Sequence, residues 1–343
     1  MTYQKSMRAV RVWFNHWFST AYHIIRLLKA DEQIHFVVVG SNTNSNCVYR
    51  VVCDEWAAEP RFDRGDEYVD YCLEFCREHE IEVFVPRRNM LAVCRRLAEF
   101  DALGVNVLVE RDYPTMSALC DKVKTYRMFR ESGLEYVPPH CAASSVEEYE
   151  AAYRLLKTDG NRVCLKFTAG EGAVSFRVVD DQAGCNLEEE VGAKISYENS
   201  VKALSKLRKF PTLLVMPYIP GAEVSVDCLY MPDGEHIAVP RYKSWGRSET
   251  VRFEKEITEA CSLFLDRFKL RCPCNIQFKY DNHVPYLLEV NTRMSGGIQL
   301  SCAAAGVNIP NIAVNRLLGV EKQARCDRKT RVVSFIETPV VLG

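Results

Sequence analysis

Leu288-Glu289-Val290-Asn291-Thr292-Arg293, taken with Asn275-Ile276-Gln277-Phe278, gives the strongest chemical signal in this chain. Each stretch is an apolar run interrupted by polar side chains, and the two read as paired strands around Asp281-Asn282. Side chains two apart on a strand share a face, so Glu289 and Asn291 point together and Gln277 can point the same way. A carboxylate and two amide oxygens on an otherwise buried face suit a hard cation such as Mg2+, with Mn2+ as a substitute. Such a cation bridges protein to nucleotide phosphates, and Arg293 would add phosphate charge neutralisation. The plainer reading is a solvated strand end; Tyr286-Leu287-Leu288, directly before Glu289, weighs against it.

Upstream, Lys166-Phe167-Thr168-Ala169-Gly170-Glu171-Gly172-Ala173 ends a strand in a lysine and leads through small residues into another strand. Glycines let backbone N–H groups approach phosphate oxygens closely, and the lysine adds a point charge beside them. The stretch is not G-x-x-x-x-G-K-[ST], and it is not the dinucleotide pattern G-x-G-x-x-G. Alone it reads as an ordinary glycine-rich hairpin turn, and the phosphate reading needs support from elsewhere.

Composition narrows the classes. The chain has 343 residues, with 44 Lys+Arg against 45 Asp+Glu, which argues against a polybasic nucleic-acid binder. No run approaches the roughly 20 apolar residues that span a bilayer, and the first eight residues carry no secretion signal. The 15 cysteines then read as reduced thiols of a cytoplasmic protein. Cys272-Pro273-Cys274 lacks the second ligand pair a zinc site needs.

The first hundred residues alternate strand and helix: strands at 7–14, 35–39, 81–85 and 105–109, helices at 19–30, 67–79 and 90–103. That alternation predicts a doubly wound parallel sheet. Thr115 and Asp121 are placed to cap two further helices, the second ending near Gly133. From 162 onward the pattern changes to hairpins. Strands are expected at 162–167, 174–179, 213–219, 223–230, 236–243, 275–280 and 285–290, with helices at 199–209, 253–270 and 310–318. On the strand 236–243, Arg241 and Lys243 share a face. Three parts are expected: 1–113, an N-terminal α/β domain; 114–214, linker helices and a small lobe; and 215–343, a C-terminal lobe with the metal site.

Taken in order, these pieces resemble the ATP-grasp superfamily, most of all its carbamoyl-phosphate-synthase-like and carboxylate–amine ligase branch. Asn275–Phe278 and Glu289–Arg293 resemble that branch's metal-binding strands. Val83-Phe84-Val85-Pro86 followed by Asn89-Met90-Leu91 resembles the end of its N-terminal domain, and Asp121-Lys122 opening a helix resembles its next element. The resemblance runs over residues 7–320. It implies an α/β and α+β architecture: an N-terminal parallel-sheet domain, then two lobes enclosing ATP. It also implies roles. Lys122 and Lys166 contact ATP phosphates, and Thr168, Gly170, Gly172 and Ala173 belong to the loop that closes over them. Val215, Met216 and Tyr218 form the adenine hinge, and Glu223 holds the ribose hydroxyls. Gln277, Glu289 and Asn291 bind Mg2+. Arg293 meets the γ-phosphate or an acyl phosphate, while Arg241 and Lys243 meet the transferred phosphoryl group or the substrate carboxylate.

Two positions depart from the family pattern. Many relatives carry a glutamate where Met216 or Pro217 stands, and Pro217 has no amide to offer adenine, so neighbouring positions must serve. Gln277 replaces a carboxylate, as it does in carbamoyl-phosphate-synthase-like members. The superfamily's N-terminal domain usually contributes to the acceptor site; here His16 and Trp17 stand at the end of the first strand, where His16 reads equally as a solvated loop residue. The resemblance implies an ADP-forming ligase that joins a small-molecule carboxylate to an amine through an acyl phosphate. A carboxyphosphate-forming enzyme and a non-catalytic ATP sensor or scaffold are the other readings. Ligases of this kind often form homodimers.

Overall fold

In the computed structural model, residues 8–158, 160–169, 175–181, 194–244 and 246–342 are described. The chain divides into two compact units that are each discontinuous in sequence. The larger takes Met1–Ser117, Val224–Ile276 and Asn291–Gly343; the smaller takes Ala118–Glu223 and Gln277–Val290.

The expected parallel sheet opens the larger unit. Its strands are β1 (Arg8–Asn15), β2 (Ile34–Asn42), β3 (Glu55–Ala58), β4 (Val83–Val85) and β5 (Asn106–Val107), in the order β3-β2-β1-β4-β5. β1 pairs in parallel with β2 from Arg8↔Ile34 to Asn15↔Ser41. Both faces of β1 are buried: Val10, Val12 and Phe14 enter one core cluster, and Trp13 enters the other between Phe75 and Phe84, 4.2 Å from each ring centroid. Such a two-sided strand reads as a continuous apolar run. Helix Ala21–Lys29 covers one face through Ala21, Ile24, Ile25 and Leu28, the i, i+3, i+4, i+7 stripe of an amphipathic helix. The sheet's switch of direction lies between β1 and β4, which leaves a crevice at their carboxyl ends.

Two local expectations change. Residues 90–103 form two helices, Met90–Arg95 and Leu97–Ala102, because Arg96 leaves the helical region and forks onto Glu99 and Asp70. The cap of helix Tyr113–Leu119 comes from Asp112, whose Oδ2 accepts the Thr115 amide at 2.9 Å.

The smaller unit holds β6 (Cys141–Ala143), β7 (Val163–Phe167), β8 (Arg177–Val179), β9 (Lys194–Ile195) and β10 (Leu213–Pro217), in the order β6-β10-β7-β8-β9. β10 lies antiparallel to both neighbours, with Leu214 opposite Lys166. A sheet in the order β15-β14-β11-β12-β13-β16 completes the fold. It comprises β11 (Glu223–Leu229), β12 (Ile237–Lys243), β13 (Ser248–Val251), β14 (Cys274–Asp281), β15 (Val284–Asn291) and β16 (Arg331–Ser334); the division of the chain falls within β14 and β15. Helix Lys255–Phe268 buries Ile257, Ala260, Cys261, Phe264 and Leu265. All described cysteines are free, and among the described residues no helix is long and apolar enough to cross a membrane.

Candidate active site

In the smaller unit the fold gathers two lysines and one carboxylate. Helix Lys122–Glu131 starts at Lys122 because Asp121, extended, caps it by accepting the Lys124 amide at 3.0 Å. The same turn is stitched to the end of β7: the Lys122 amide donates to Thr168 O at 2.9 Å, and Asp121 bridges Ala169. Lys122 is therefore buried, and its Nζ lies 3.6 Å from Glu289 Oε2. Lys166, on β7, donates to Leu288 O at 3.3 Å. Burial pushes the Lys166 ammonium down to about 8; Glu289 opposes that shift and Lys122 adds to it. Two ammonium groups thus lie beside the half-buried Glu289, and Glu223 adds a second carboxylate's charge at Lys166. Two ammonium groups held beside carboxylates are chemically suited to meet an anion. Thr168 is buried, with its amide on Thr212 O at 2.9 Å. Gly170, Gly172 and Ala173 lie outside the described residues.

Strand β10 buries Val215 and Met216, and the Tyr126 hydroxyl sits 3.9 Å from Met216 Sδ while donating to Leu288 O at 3.2 Å. Pro217 has no N–H, and the Tyr218 amide donates to Arg162 O at 2.7 Å. Neither position 217 nor position 218 thus has an amide left to donate to a ligand. The Tyr218 ring instead lies beside two cations, with Arg162 Cζ at 4.8 Å and Lys279 Nζ at 5.1 Å from its centroid. Glu223, half-buried, follows a turn anchored by Gly221, whose amide donates to Tyr280 O at 3.1 Å. A Cβ on Gly221 would fall on that carbonyl oxygen. Gly221→Ala is expected to cost about 1–3 kcal/mol in a urea titration, the range for overpacking a fixed backbone; an unchanged midpoint would show that the turn yields.

Gln277 on β14 and Glu289 and Asn291 on β15 are all half-buried. Glu289 and Asn291 share a face by strand alternation, and Asn291 begins a segment of the larger unit. Oxygen donors with a single carboxylate suit Mg2+, which is commonly held by one or two carboxylates plus substrate phosphates. Among the described residues, no cluster of three or more His, Cys, Asp or Glu offers a competing metal site.

The larger unit carries the remaining candidates. Lys243 is exposed. Arg241 is buried within a network of Asp227, Glu249, Ser225, Ser295 and Ser301. Alternation put Arg241 and Lys243 on one face but could not tell their depth. Arg293 is half-buried over Phe18, 5.4 Å from its centroid, and Arg87 lies 5.2 Å from the same ring. At the carboxyl ends of β1, β2 and β3, Asn15, Ser41 and Glu59 are buried, with Tyr68 beside them. His16 adopts a left-handed backbone, φ 49°, and its Nδ1 stands 4.0 Å from Glu59 Oε1. Trp17 is buried, its Nε1 donating to Val85 O at 2.9 Å. Burial pushes the Glu59 carboxyl up to about 7 against hydrogen bonds from Ser41 and Tyr68 and the charge of Arg88. The sequence reading missed Glu59; nothing in Ala57-Ala58-Glu59-Pro60 marks it.

Comparison with known proteins bears on the fold. A family model described as ATP-grasp in the biosynthetic pathway with Ter operon matches residues 209–338. The carbamoyl phosphate synthase large chain of Clostridium acetobutylicum is 24% identical over 232 residues, covering 63% of this chain and 20% of that protein. This chain therefore spans about a fifth of that curated relative. Among solved structures, an ADP complex of N5-carboxyaminoimidazole ribonucleotide synthetase matches with a TM-score of 0.71 at 13% identity, over 95% of this chain and 81% of that one. The biotin carboxylase domain dimer of Hydrogenobacter thermophilus 2-oxoglutarate carboxylase, bound to MgADP, ADP and bicarbonate, gives 0.66 at 19% identity, over 92% and 71%. An L-amino acid ligase from Bacillus licheniformis gives 0.63 at 15%, over 91% and 75%.

Proposed function

We propose that this chain, which has the ATP-grasp fold, is an ATP-dependent carboxylate–amine ligase that releases ADP and phosphate. The observation that carries this reading is the pairing of buried Lys122 and half-buried Lys166 near Glu289. The substrate carboxylate oxygen attacks the γ-phosphorus of ATP, giving an acyl phosphate and ADP. An amine then attacks the acyl carbon, phosphate leaves with the bonding electrons, and the amine loses a proton.

Lys122 and Lys166 stabilise the charge developing on the phosphates, and Arg293 and Lys243 do the same at the transferred group. Val215, Met216 and Tyr218 supply the adenine wall, and Glu223 accepts from the ribose hydroxyls. Gln277, Glu289 and Asn291 would hold Mg2+ or Mn2+, which supplies charge neutralisation when bound. Thr168, Gly170, Gly172 and Ala173 would close over the phosphates and exclude water, which hydrolyses acyl phosphates. The setting proposed is cytoplasmic, where the free thiols stay reduced. The partners are small molecules and a second copy of the chain, with neither nucleic acid nor membrane involved. A carboxyphosphate former acting on bicarbonate is the second reading, favoured by the likeness to the carbamoyl phosphate synthase large chain.

The test is ADP release from Mg-ATP with and without pooled amino acids and cell metabolites. Pool-dependent ADP and phosphate are expected. Release with bicarbonate alone would select the second reading, and AMP with pyrophosphate would overturn both. ATP binding with no turnover from any pool would leave a sensor or scaffold.

A further inference from the structure

Arg241 is placed to hold a neighbouring segment and not to meet a ligand. Its side chain is only 3% exposed, and every nitrogen of its fork has a protein partner. Nε donates to Asp227 Oδ2 at 3.1 Å and to Ser301 Oγ at 2.8 Å. Nη2 donates to Ser225 Oγ at 3.3 Å and Ser295 Oγ at 3.1 Å, and Nη1 pairs with Glu249. Asp227 is held in turn by Ser301, 2.6 Å from its Oδ2, and by Asn275, 3.0 Å from its Oδ1.

Two of these partners, Ser295 and Ser301, lie just beyond Arg293. Between them Gly297 packs onto the guanidinium: a Cβ there would stand 2.6 Å from Cζ and closer still to Nη1. Gly297 has φ −109°, which any residue adopts, so its backbone does not call for glycine; the room taken by Arg241 does. Met294, Ile298 and Cys302 anchor the segment in the core, while its polar contacts at the helix start run to Arg241. Helix Ile298–Ala305 has no side-chain cap, and the Gly297 amide is answered by Ser295, itself bound to Arg241. A buried arginine between two carboxylates is a costly way to fill space. What its rigid, planar fork adds over an apolar side chain is direction, fixing strands β11 and β13 and the 295–301 segment in one register.

We propose that Arg241 is a positioning residue: through Ser295, Gly297 and Ser301 it sets the segment that presents Arg293, and it does not itself touch the substrate. The inference rests on the role proposed for Arg293.

The test uses the full chain with Arg241→Lys, Gly297→Ala, Arg293→Met and the double variant Arg241→Lys/Arg293→Met. Hydrogen exchange is followed in peptides covering 292–301, and ADP release where a substrate has been found. Arg241→Lys keeps the charge and loses the fork; Gly297→Ala keeps Arg241 and displaces it. Both are expected to speed exchange at 292–301 while β1 and β2 exchange as in the wild type. Both should lower kcat about 10–100-fold, the scale of a misplacement near 1 Å, with KM for the carboxylate little changed. The double variant should be no slower than Arg293→Met alone, because the two changes remove one effect. Effects that multiply in the double variant, or a rise in KM at unchanged kcat, would overturn the proposal in favour of a substrate contact. Unchanged exchange at 292–301 would overturn it whether or not a substrate is known, so this arm stands apart from the ligase reading.

Discussion

Lys166→Met is expected to lower ADP release at least about 100-fold, the scale on which single charge-stabilising donors act, while leaving the folded state as stable as before or more so. The two halves of this expectation have one cause. The Lys166 ammonium is buried, and burial disfavours its charged form. Methionine keeps the apolar stem and removes the charge, leaving Lys122 and Glu289 as a balanced pair 3.6 Å apart. Glu289→Gln should abolish turnover as well but move stability the other way. It removes the carboxylate beside Lys122 and leaves Glu223 as the carboxylate acting on Lys166, at a cost of about 1–2 kcal/mol after allowing for the 21% exposure of Glu289. Urea midpoints beside the ADP assay separate the cases. Wild-type turnover by Lys166→Met would remove the lysine from the phosphate site. A loss of stability in both variants would mean the cluster is structural and is not held ready for an anion.

Much of this arrangement was readable from residue order. The two-sided strand β1, the cap at Asp121 and the β14–β15 hairpin follow from apolar runs, capping chemistry and turn residues. Depth was not readable. A period-two pattern assigns Arg241 and Lys243 to one face, yet one is enclosed by five side chains and the other exposed. Lys122 opens a helix, where a lysine is ordinarily solvated; its burial comes from the bridge between Asp121 and Ala169, a contact across sequence. One signal was present and missed. Ser145 caps helix Val146–Leu156 with Glu148 three residues on, in its first turn, and Ser145 Oγ accepts the Glu148 amide at 3.2 Å. The short strands β9, β13 and β16 have two to four residues each, too few for alternation to show. The interleaving of the two units leaves no mark in composition, because β14 and β15 run through the division unbroken.

Glu59 should make the protein lose stability as pH rises from about 4.5 through about 7, opposite in sense to the usual carboxylate. Its carboxyl is fully enclosed, and burial lifts it to about 7 from an ordinary 4.5. Over that interval the folded chain keeps a proton that the unfolded chain has released, so each step up in pH favours unfolding. The contribution is complete below about pH 4.5 and gone above about pH 7, a difference on the order of 3 kcal/mol. The groups facing Glu59 are Ser41, Tyr68, Arg88 at 3.8 Å and His16 at 4.0 Å, and among the described residues its Oε1 accepts no hydrogen bond. Glu59→Gln keeps the shape, cannot ionise and should flatten this part of the profile. Its urea midpoint should exceed that of the wild type at pH 8 and match it near pH 4.5. Parallel profiles at the two pH values would show that Arg88 and His16 already compensate the ionised carboxylate. A variant stabilised at pH 8 but slowed in ADP release would show instead that the charge is kept at the carboxyl edge of the parallel sheet for function, at the expense of stability, as buried site residues often are.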